Sequence, residues 1–253
     1  MQHSFIDKYA DRDSILHRLD PRVRICLFLL LIMAAVATRA ADFFHLIELT
    51  VLLVVLAALS RIPIGFILRR VLVVSPFLLM VVLMAPFLDV KNPVTTLRFS
   101  AAQISVDTRL VIAATVFVKS LISVVSVILL LNTGRFTELL KALQKLKMPA
   151  ALVSILMFIY RYVFIIVDQF QRMLAARKAR TFSNSRKQQY RGLPQIVGMG
   201  FIRSSEHAER VYAAMLARGF DGTVRTMSRL RIGSCDIVFG LVMAGVILLI
   251  KLG

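Results

Sequence analysis

Long runs of apolar residues, separated by short charged connections, make up most of the chain. Four runs in its first half approach the roughly 20 residues that a helix needs to cross a hydrocarbon core of about 30 Å. They cover residues 25–41, 46–59, 71–88 and 110–131. A fifth run, residues 235–252, carries charge only near its ends, at Asp236 and Lys251. These runs predict an all-α integral membrane protein with about five transmembrane helices, of which the second is the shortest.

Another apolar stretch, residues 150–167, differs from these five. Arg161 lies near its centre, and Asp168 and Arg172 follow it closely. A charged side chain at mid-membrane costs about 2.5–3.5 kcal/mol on insertion scales. We therefore predict a long amphipathic helix here, partly sunk in the membrane or packed beneath it, and no sixth crossing.

Composition agrees with a membrane protein. Of the 253 residues, 58% are apolar, and the mean hydropathy is +0.78. A soluble domain has roughly 45–50% apolar residues. The surplus of apolar side chains must therefore face lipid.

The distribution of charge predicts the orientation. From Arg135 to Arg231 the chain has 18 Lys/Arg against 5 Asp/Glu, which gives this segment +13 of the net charge of +18. Positively charged segments stay in the cytoplasm, so we place the N-terminus inside and the C-terminus outside the plasma (inner) membrane. Anionic lipid is the expected partner of this charge, and nucleic acid is not, because no nucleic-acid-binding motif accompanies it.

Four regions follow from this topology. They are a cytoplasmic N-terminal segment (1–24), a membrane domain of four helices (25–132), a cytoplasmic or membrane-surface domain (133–231) and a final transmembrane helix (235–252). Turn signals divide the third region into three predicted helices, at about residues 135–147, 149–180 and 194–218. Pro149 and Pro194 stand in the first turn of the two longer helices, where a missing N–H costs nothing. A polar link, residues 181–193, joins these two helices.

Both longer helices carry an apolar seam that ends in arginine. Steps of three and four residues in the third helix pass through Met215 and next reach Arg218, which is followed by the stop signal Gly219. The same stepping in the second helix ends at Arg177 and Arg180. Parallel or crossing helices would present these arginine tips together.

An arginine at a helix end has two possible roles. Its planar fork of five donors suits bidentate pairing with a carboxylate, so such a tip can dock into an acidic groove of a partner. Alternatively, the side chains only bind the last carbonyls of their helices and face lipid phosphates. Spacing alone leaves both roles open.

Several kinds of site are missing from the sequence. It has no GxxxxGK[ST] run that would cradle nucleotide phosphates, and its four histidines lack metal-ligand spacing. It also has no acid–base or nucleophile constellation. We therefore predict a non-catalytic chain that binds no metal or cofactor of its own. The main rival from another class, a membrane enzyme, would need such a constellation at the membrane surface. A second rival, a self-contained channel or secondary transporter, would need interrupted helices with polar residues at mid-membrane, whereas these spans are almost uniformly apolar.

The arginine tips also resemble a family signature. The tripeptide Ala217-Arg218-Gly219 looks like the Ala-Arg-Gly motif found twice in the transmembrane coupling component of energy-coupling-factor transporters, which are ATP-driven importers of vitamins and metal ions. The upstream tripeptide Ala179-Arg180-Thr181 resembles the first copy, with threonine in place of glycine.

Two further points concern this resemblance. A competing frame for the first copy centres on Arg177; we prefer Arg180 because it is nearer the helix end. The N-terminal segments IDKYA (residues 6–10) and LHRLDPR (residues 16–22) are similar to the cobalt and nickel branch of the family. The resemblance covers nearly the whole chain.

The family resemblance implies a division of labour. Two ATP-binding-cassette ATPase subunits bind ATP, a separate membrane subunit captures the substrate, and this chain joins them, with its arginine-tipped helices seated in grooves of the ATPases. Cobalt is the first substrate expected, nickel the second and a vitamin the third. All of these expectations rest on the resemblance.

Two other groups of residues have competing interpretations. Asp20, Pro21 and Arg22 match the family, but an N-cap aspartate followed by proline at the first helical position also explains them, and we favour this cap. Lys119 lies inside the fourth span and is a functional candidate by default. A structural ion pair, or snorkelling inside the bundle, is the alternative for Lys119.

Overall fold

The computed structural model describes residues 14–38, 43–84, 94–99, 102–180, 192–222, 224 and 233–252. Within these residues the chain is almost entirely helical, which confirms the all-α prediction. The helices are α1 (Ile15–Arg18), α2 (Pro21–Ala37), α3 (Phe43–Leu59), α4 (Ile64–Met84), α5 (Thr108–Asn132), α6 (Phe136–Lys145), α7 (Ala150–Arg180), α8 (Leu193–Ala217) and α9 (Ser234–Leu252).

Every predicted apolar run corresponds to a helix. In chain order, the five runs coincide with α2, α3, α4, α5 and α9. The largest shift in a boundary concerns α4, which begins at Ile64, seven residues before the predicted run, because Arg69 and Arg70 continue the helix instead of interrupting it. The three helices predicted after residue 134 are also present as α6, α7 and α8, each with ends within two residues of those expected.

Three of the described helices are long and apolar enough to cross a membrane, namely α4, α5 and α7, and α3 and α9 are shorter apolar helices. Length and composition thus admit α7 as a crossing, whereas its sequence predicts a helix partly sunk in the membrane or packed beneath it. That placement rests on Arg161 near its centre, and the number of crossings stays a prediction.

One short hairpin departs from the all-helical pattern. Strands β1 (Val94–Phe99) and β2 (Ala102–Asp107) pair antiparallel, with Val94 opposite Asp107 and Phe99 opposite Ala102. The hairpin lies in the connection between α4 and α5. Local backbone pairing satisfies the peptide groups of this connection without a further helix.

The chain divides into two compact units. The membrane unit comprises Ser4–Ala142 and Leu230–Gly253, and so includes strands β1 and β2. The second unit comprises Leu143–Arg229 and is called the hairpin unit after its two long helices, α7 and α8. The boundary falls inside α6. In the membrane unit α5 is central, since it packs against α2, α3 and α4. The core of this unit is aliphatic and aromatic, with its least exposed side chains at Phe28, Leu31, Ala35, Leu56 and Leu129.

In the hairpin unit α7 and α8 pack antiparallel. Near one end, the guanidinium group of Arg177 lies against the backbone of Gly192. Further along, the ring of Phe170 lies against Gly200. The rings of Tyr162 and His207 follow, with centroids 5.9 Å apart.

At the far end of the pair, Phe158 meets Phe220 edge to face, with ring centroids 6.1 Å apart. Residue numbers in these contacts therefore rise along α8 and just beyond it while they fall along α7, as expected for two antiparallel helices that are in contact over most of their length.

Candidate functional site

The end of α8 is a complete helix stop that presents Arg218. Gly219 adopts a φ of +78°, a left-handed conformation that favours glycine. The N–H of Phe220 donates to the carbonyl of Met215 (3.1 Å), and the N–H of Gly219 donates to Leu216 (3.0 Å), which together form a Schellman motif. The Ala-Arg-Gly sequence thus ends the helix immediately after Arg218 and leaves that side chain exposed.

The end of α7 presents Arg180 in a comparable way. Arg180 is the last residue of this 31-residue helix and is exposed, as is Ala179 before it. Thr181, which stands in place of the expected glycine, lies outside the described residues.

Arg177 has a different environment from Arg180. It is half-buried, and a Cβ added at Gly192 would lie only 2.7–2.8 Å from its Nε, Cζ and Nη2 atoms. Its guanidinium group therefore fills the space that the missing side chain leaves at the start of α8. This packing role favours Arg180 as the arginine that is available to a partner.

The two exposed arginines lie at opposite ends of the helix pair. Arg177, three residues before Arg180 on α7, lies beside Gly192 at the start of α8. Arg218, in contrast, follows the last residue of α8. At a rise of 1.5 Å per residue, Arg180 and Arg218 are about 40 Å apart along the helix axes. The expectation that the tips would be presented together is not met, because the C-terminal ends of antiparallel helices point in opposite directions.

The polar residues before α2 have a structural role. The carboxylate of Asp20 accepts the backbone N–H of Arg22 at 2.9 Å and caps α2, with Pro21 at the first helical position. The guanidinium Nε of Arg22 lies 4.0 Å from the same carboxylate. Asp20 also donates its backbone N–H to the carboxylate of Asp236, at 3.3 Å, and so joins the start of α2 to α9.

Lys119 acts on the other end of α2. Its ammonium group donates to the carbonyl oxygen of Val36 at 3.3 Å and to that of Thr38. These carbonyls lie in the last turn of α2 and just after it, where they lack partners within the helix and where the helix dipole favours a cation. Lys119 thus fastens α5 to α2, and carbonyl capping accounts for this intramembrane charge within the residues that the structure describes.

The sequence analysis missed a buried arginine. Arg24 is only 1% exposed, and it donates to the carbonyl oxygens of Leu19, at 3.0 Å, and of Thr133. The Thr133 contact joins residues 109 positions apart in the sequence. The local signal nearest to this contact is Gly134, which comes three residues after the end of the fourth apolar run.

Across the part of the chain that the structure describes, no three His, Cys, Asp or Glu side chains form a group that could hold a metal ion. His207 is engaged with the ring of Tyr162, and His17 shares a hydrogen bond of 2.6 Å with Ser14. The candidate site among the described residues therefore consists of two exposed arginines, Arg180 and Arg218, at separate helix ends.

Comparison with known proteins gives consistent matches. A family model described as the cobalt transport protein CbiQ matches residues 12–229. The energy-coupling factor transporter transmembrane protein EcfT of Acidaminococcus fermentans is 27% identical over 97% of this chain and 94% of its own length. The cobalt transport protein CbiQ of Rhodobacter capsulatus is 29% identical over 45% of this chain and 46% of its own. An uncharacterized protein of Methanocaldococcus jannaschii is 24% identical over 94% of this chain and 82% of its own.

Proposed function

The chain belongs to the CbiQ family of cobalt transport proteins, the transmembrane components of energy-coupling-factor transporters, and we propose that it transmits ATP-driven motion of two ATPase subunits to a membrane subunit that captures the substrate. The chain itself is a non-catalytic transporter subunit in the membrane. In this proposal ATP is bound only by the partner subunits.

One observation supports the coupling role most directly. Arg180 and Arg218 are both exposed, and each ends a long helix of the same antiparallel pair. About 40 Å separates them along the axes, so one acidic groove cannot receive both. Two separate grooves, one on each member of an ATPase pair, fit this spacing.

A mechanism follows from the antiparallel pair. When ATP binding draws the two ATPases together, the grooves that hold Arg180 and Arg218 move relative to each other. The apolar contacts between α7 and α8, including Phe170 on Gly200 and Phe158 on Phe220, are distributed along the whole pair. The helices therefore transmit displacement at either tip as a change in their crossing or tilt. The capture subunit responds to that change by releasing its substrate.

The cargo that we propose is cobalt ion. The family model carries the description of a cobalt transport protein, and the relative from Rhodobacter capsulatus bears the same name. We also propose that the N-terminus and the hairpin unit lie in the cytoplasm and the C-terminus outside, since the hairpin unit holds most of the positive charge.

Charge reversal at both tips tests the coupling role. Removing one partner of a buried, hydrogen-bonded charge pair costs about 2–5 kcal/mol, which is at least about 30-fold in affinity. In membranes from cells that hold the whole transporter, the Arg180→Glu, Arg218→Glu double variant should insert normally. It should lose both the ATPase subunits on affinity purification and ATP-driven cobalt uptake.

Matched controls are available on the same helices. Arg172 and Arg203 are exposed cations on α7 and α8, and Arg172→Glu with Arg203→Glu makes the same change in net charge away from the tips. This control should retain the ATPases and the uptake. If the tip variant behaves like this control, the arginines face lipid or serve only their own helices, and the coupling role is wrong.

A further inference from the structure

The corner between α5 and α6 is held by a buried arginine from another helix. Arg24, in the first turn of α2, is 1% exposed and donates to the carbonyl oxygen of Thr133, the residue after α5. Its second hydrogen bond, to the carbonyl of Leu19 at 3.0 Å, holds the chain that leads into α2. One guanidinium group thus fastens two segments that are distant in the sequence.

Gly134 fits this arrangement closely. A Cβ at position 134 would overlap the Nη1 atom of Arg24 and would lie 3.1–3.2 Å from Cζ and Nη2. Any residue with a side chain there would have to displace the guanidinium group. The glycine is therefore matched to Arg24 and is not merely a flexible joint, since its φ is not among the positive values found in the described residues.

Carboxylates from three segments lie near the guanidinium group, namely Glu138 in α6, Asp20 before α2 and Asp236 in α9. Asp236 also accepts the N–H groups of Asp20, at 3.3 Å, and Gly233, at 2.8 Å. Hydrogen bonds thus join the start of α2 to the start of α9 through Asp236 and to the end of α5 through Arg24.

Stability alone is a poor explanation for this cluster. Burying a guanidinium group costs desolvation free energy, and hydrogen bonds to two neutral carbonyl oxygens offset that cost only in part. The cluster is also incompletely satisfied, because Arg24 Nε and Asp20 Oδ2 are buried without a hydrogen-bond partner among the described residues. Places where a protein departs from full polar satisfaction are typically functional or strained sites.

The α5–α6 corner lies just before the point where the chain leaves the membrane unit. The chain passes from the membrane unit into the hairpin unit inside α6, just after this corner. The part of α6 up to Ala142 belongs to the membrane unit, and its Leu139, Leu140 and Ala142 are buried. A rigid corner makes α6 an inflexible continuation of α5, whereas a loose corner would absorb displacement.

We propose that Arg24 is a positioning residue for coupling, which fixes the α5–α6 corner so that motion of the hairpin unit reaches the membrane helices without loss. This inference rests on the coupling function proposed above. Arg24 itself contacts neither the ATPase subunits nor the transported cobalt ion. The residue acts through Thr133 and Gly134.

The test measures cobalt transported per ATP hydrolysed by the complete transporter in proteoliposomes. Arg24→Gln keeps a polar side chain but removes the charge and the second donor group. We expect it to retain its ATPase subunits and to hydrolyse ATP at near the normal rate, while cobalt transported per ATP falls at least fivefold. A purely structural role would lower the yield of folded complex and its melting temperature, but would leave the ratio per ATP unchanged, and that result would overturn the inference.

Gly134→Ala supplies a second variant that leaves Arg24 in place. Its added methyl group should displace the guanidinium group and lower the same ratio. Combining it with Arg24→Lys should restore part of the ratio, because the slimmer ammonium group leaves room at position 134. If Gly134→Ala has a normal ratio, the corner does not act as proposed.

The unmodified transporter distinguishes the two proposals. Absence of ATP-driven uptake by the unmodified transporter refutes the coupling function, whereas normal uptake together with unaffected variants refutes only the role of Arg24.

Discussion

A methyl group at Gly200 should weaken the α7–α8 packing that separates the arginine tips. In Gly200→Ala, the new Cβ would overlap the Phe170 ring, with Cε1 at 2.7 Å and Cε2 at 3.1 Å. Overpacking of this kind costs about 1–3 kcal/mol. The change also improves intrinsic helix propensity by about 0.8–1.0 kcal/mol, so the net loss of stability is smaller than the steric cost.

Gly198 provides the matched control for this substitution. It lies in the same helix two residues earlier, and a Cβ there would meet nothing within 4 Å. Gly198→Ala therefore gains the helix propensity without the steric cost. The difference in unfolding free energy between the two variants isolates the overlap with Phe170, at about 1–3 kcal/mol.

The assay is thermal unfolding of the purified chain in detergent, followed by circular dichroism. For a chain of this size each kcal/mol shifts the melting temperature by about 2–4 °C, so Gly200→Ala should melt about 2–12 °C below Gly198→Ala. Adding Phe170→Ala should remove that gap, because the ring that the methyl group meets is then absent. If the two alanine variants melt together, Phe170 does not lie on Gly200, and the antiparallel register is wrong.

Three other predictions concern the tips and the topology. Nitroxide labels at Ala179→Cys and Ala217→Cys, with the two native cysteines replaced by serine, should give a pulsed electron paramagnetic resonance distance centred near about 40 Å, whereas a distance under about 20 Å would put the tips together. Gly219→Ala forces a positive φ on a residue with a side chain and should lower the unfolding free energy by about 1–2 kcal/mol in the same thermal assay; an unchanged melting temperature would mean that the helix stop differs. A reporter inserted at Ser185 should be cytoplasmic and one after Gly253 external, and the same side for both would contradict the five-crossing topology.

The start of α2 and the end of α8 could be predicted because they depend on local chemistry. Asp20 with Pro21 starts α2, and Gly219 stops α8, through contacts within a few residues. The helix that contains Arg161 was also located correctly, because its apolar periodicity runs on to Arg180. These features need no knowledge of distant neighbours.

The arrangement of the tips could not be predicted in this way. The link between α7 and α8 has twelve residues, and fully extended it would span about 40–43 Å. That is just longer than the roughly 37 Å of α8, so a parallel pair was sterically reachable. The choice of an antiparallel pair depends on contacts such as Phe170 with Gly200, which join residues 30 positions apart.

The buried cluster was hidden for the same reason. Arg24 follows a stretch of basic residues, which the positive-inside rule explains without any structure. Its hydrogen bond to Thr133 spans 109 residues, and no local spacing encodes such a partner. Lys119 is similar, since the carbonyls that it caps lie on α2, more than 80 positions away.

The most direct test of the central claim counts the ATPase subunits that one chain contacts through its two tips. Photo-crosslinking residues would replace Ala179 and Ala217, which are both exposed and adjacent to the arginines, singly and together in the assembled transporter. Each single replacement should capture one ATPase subunit, and the double replacement should yield an adduct of one chain with two ATPases. A double replacement that captures only one ATPase per chain, or lipid alone at either position, would contradict the proposal that the two arginine tips dock separately on an ATPase pair.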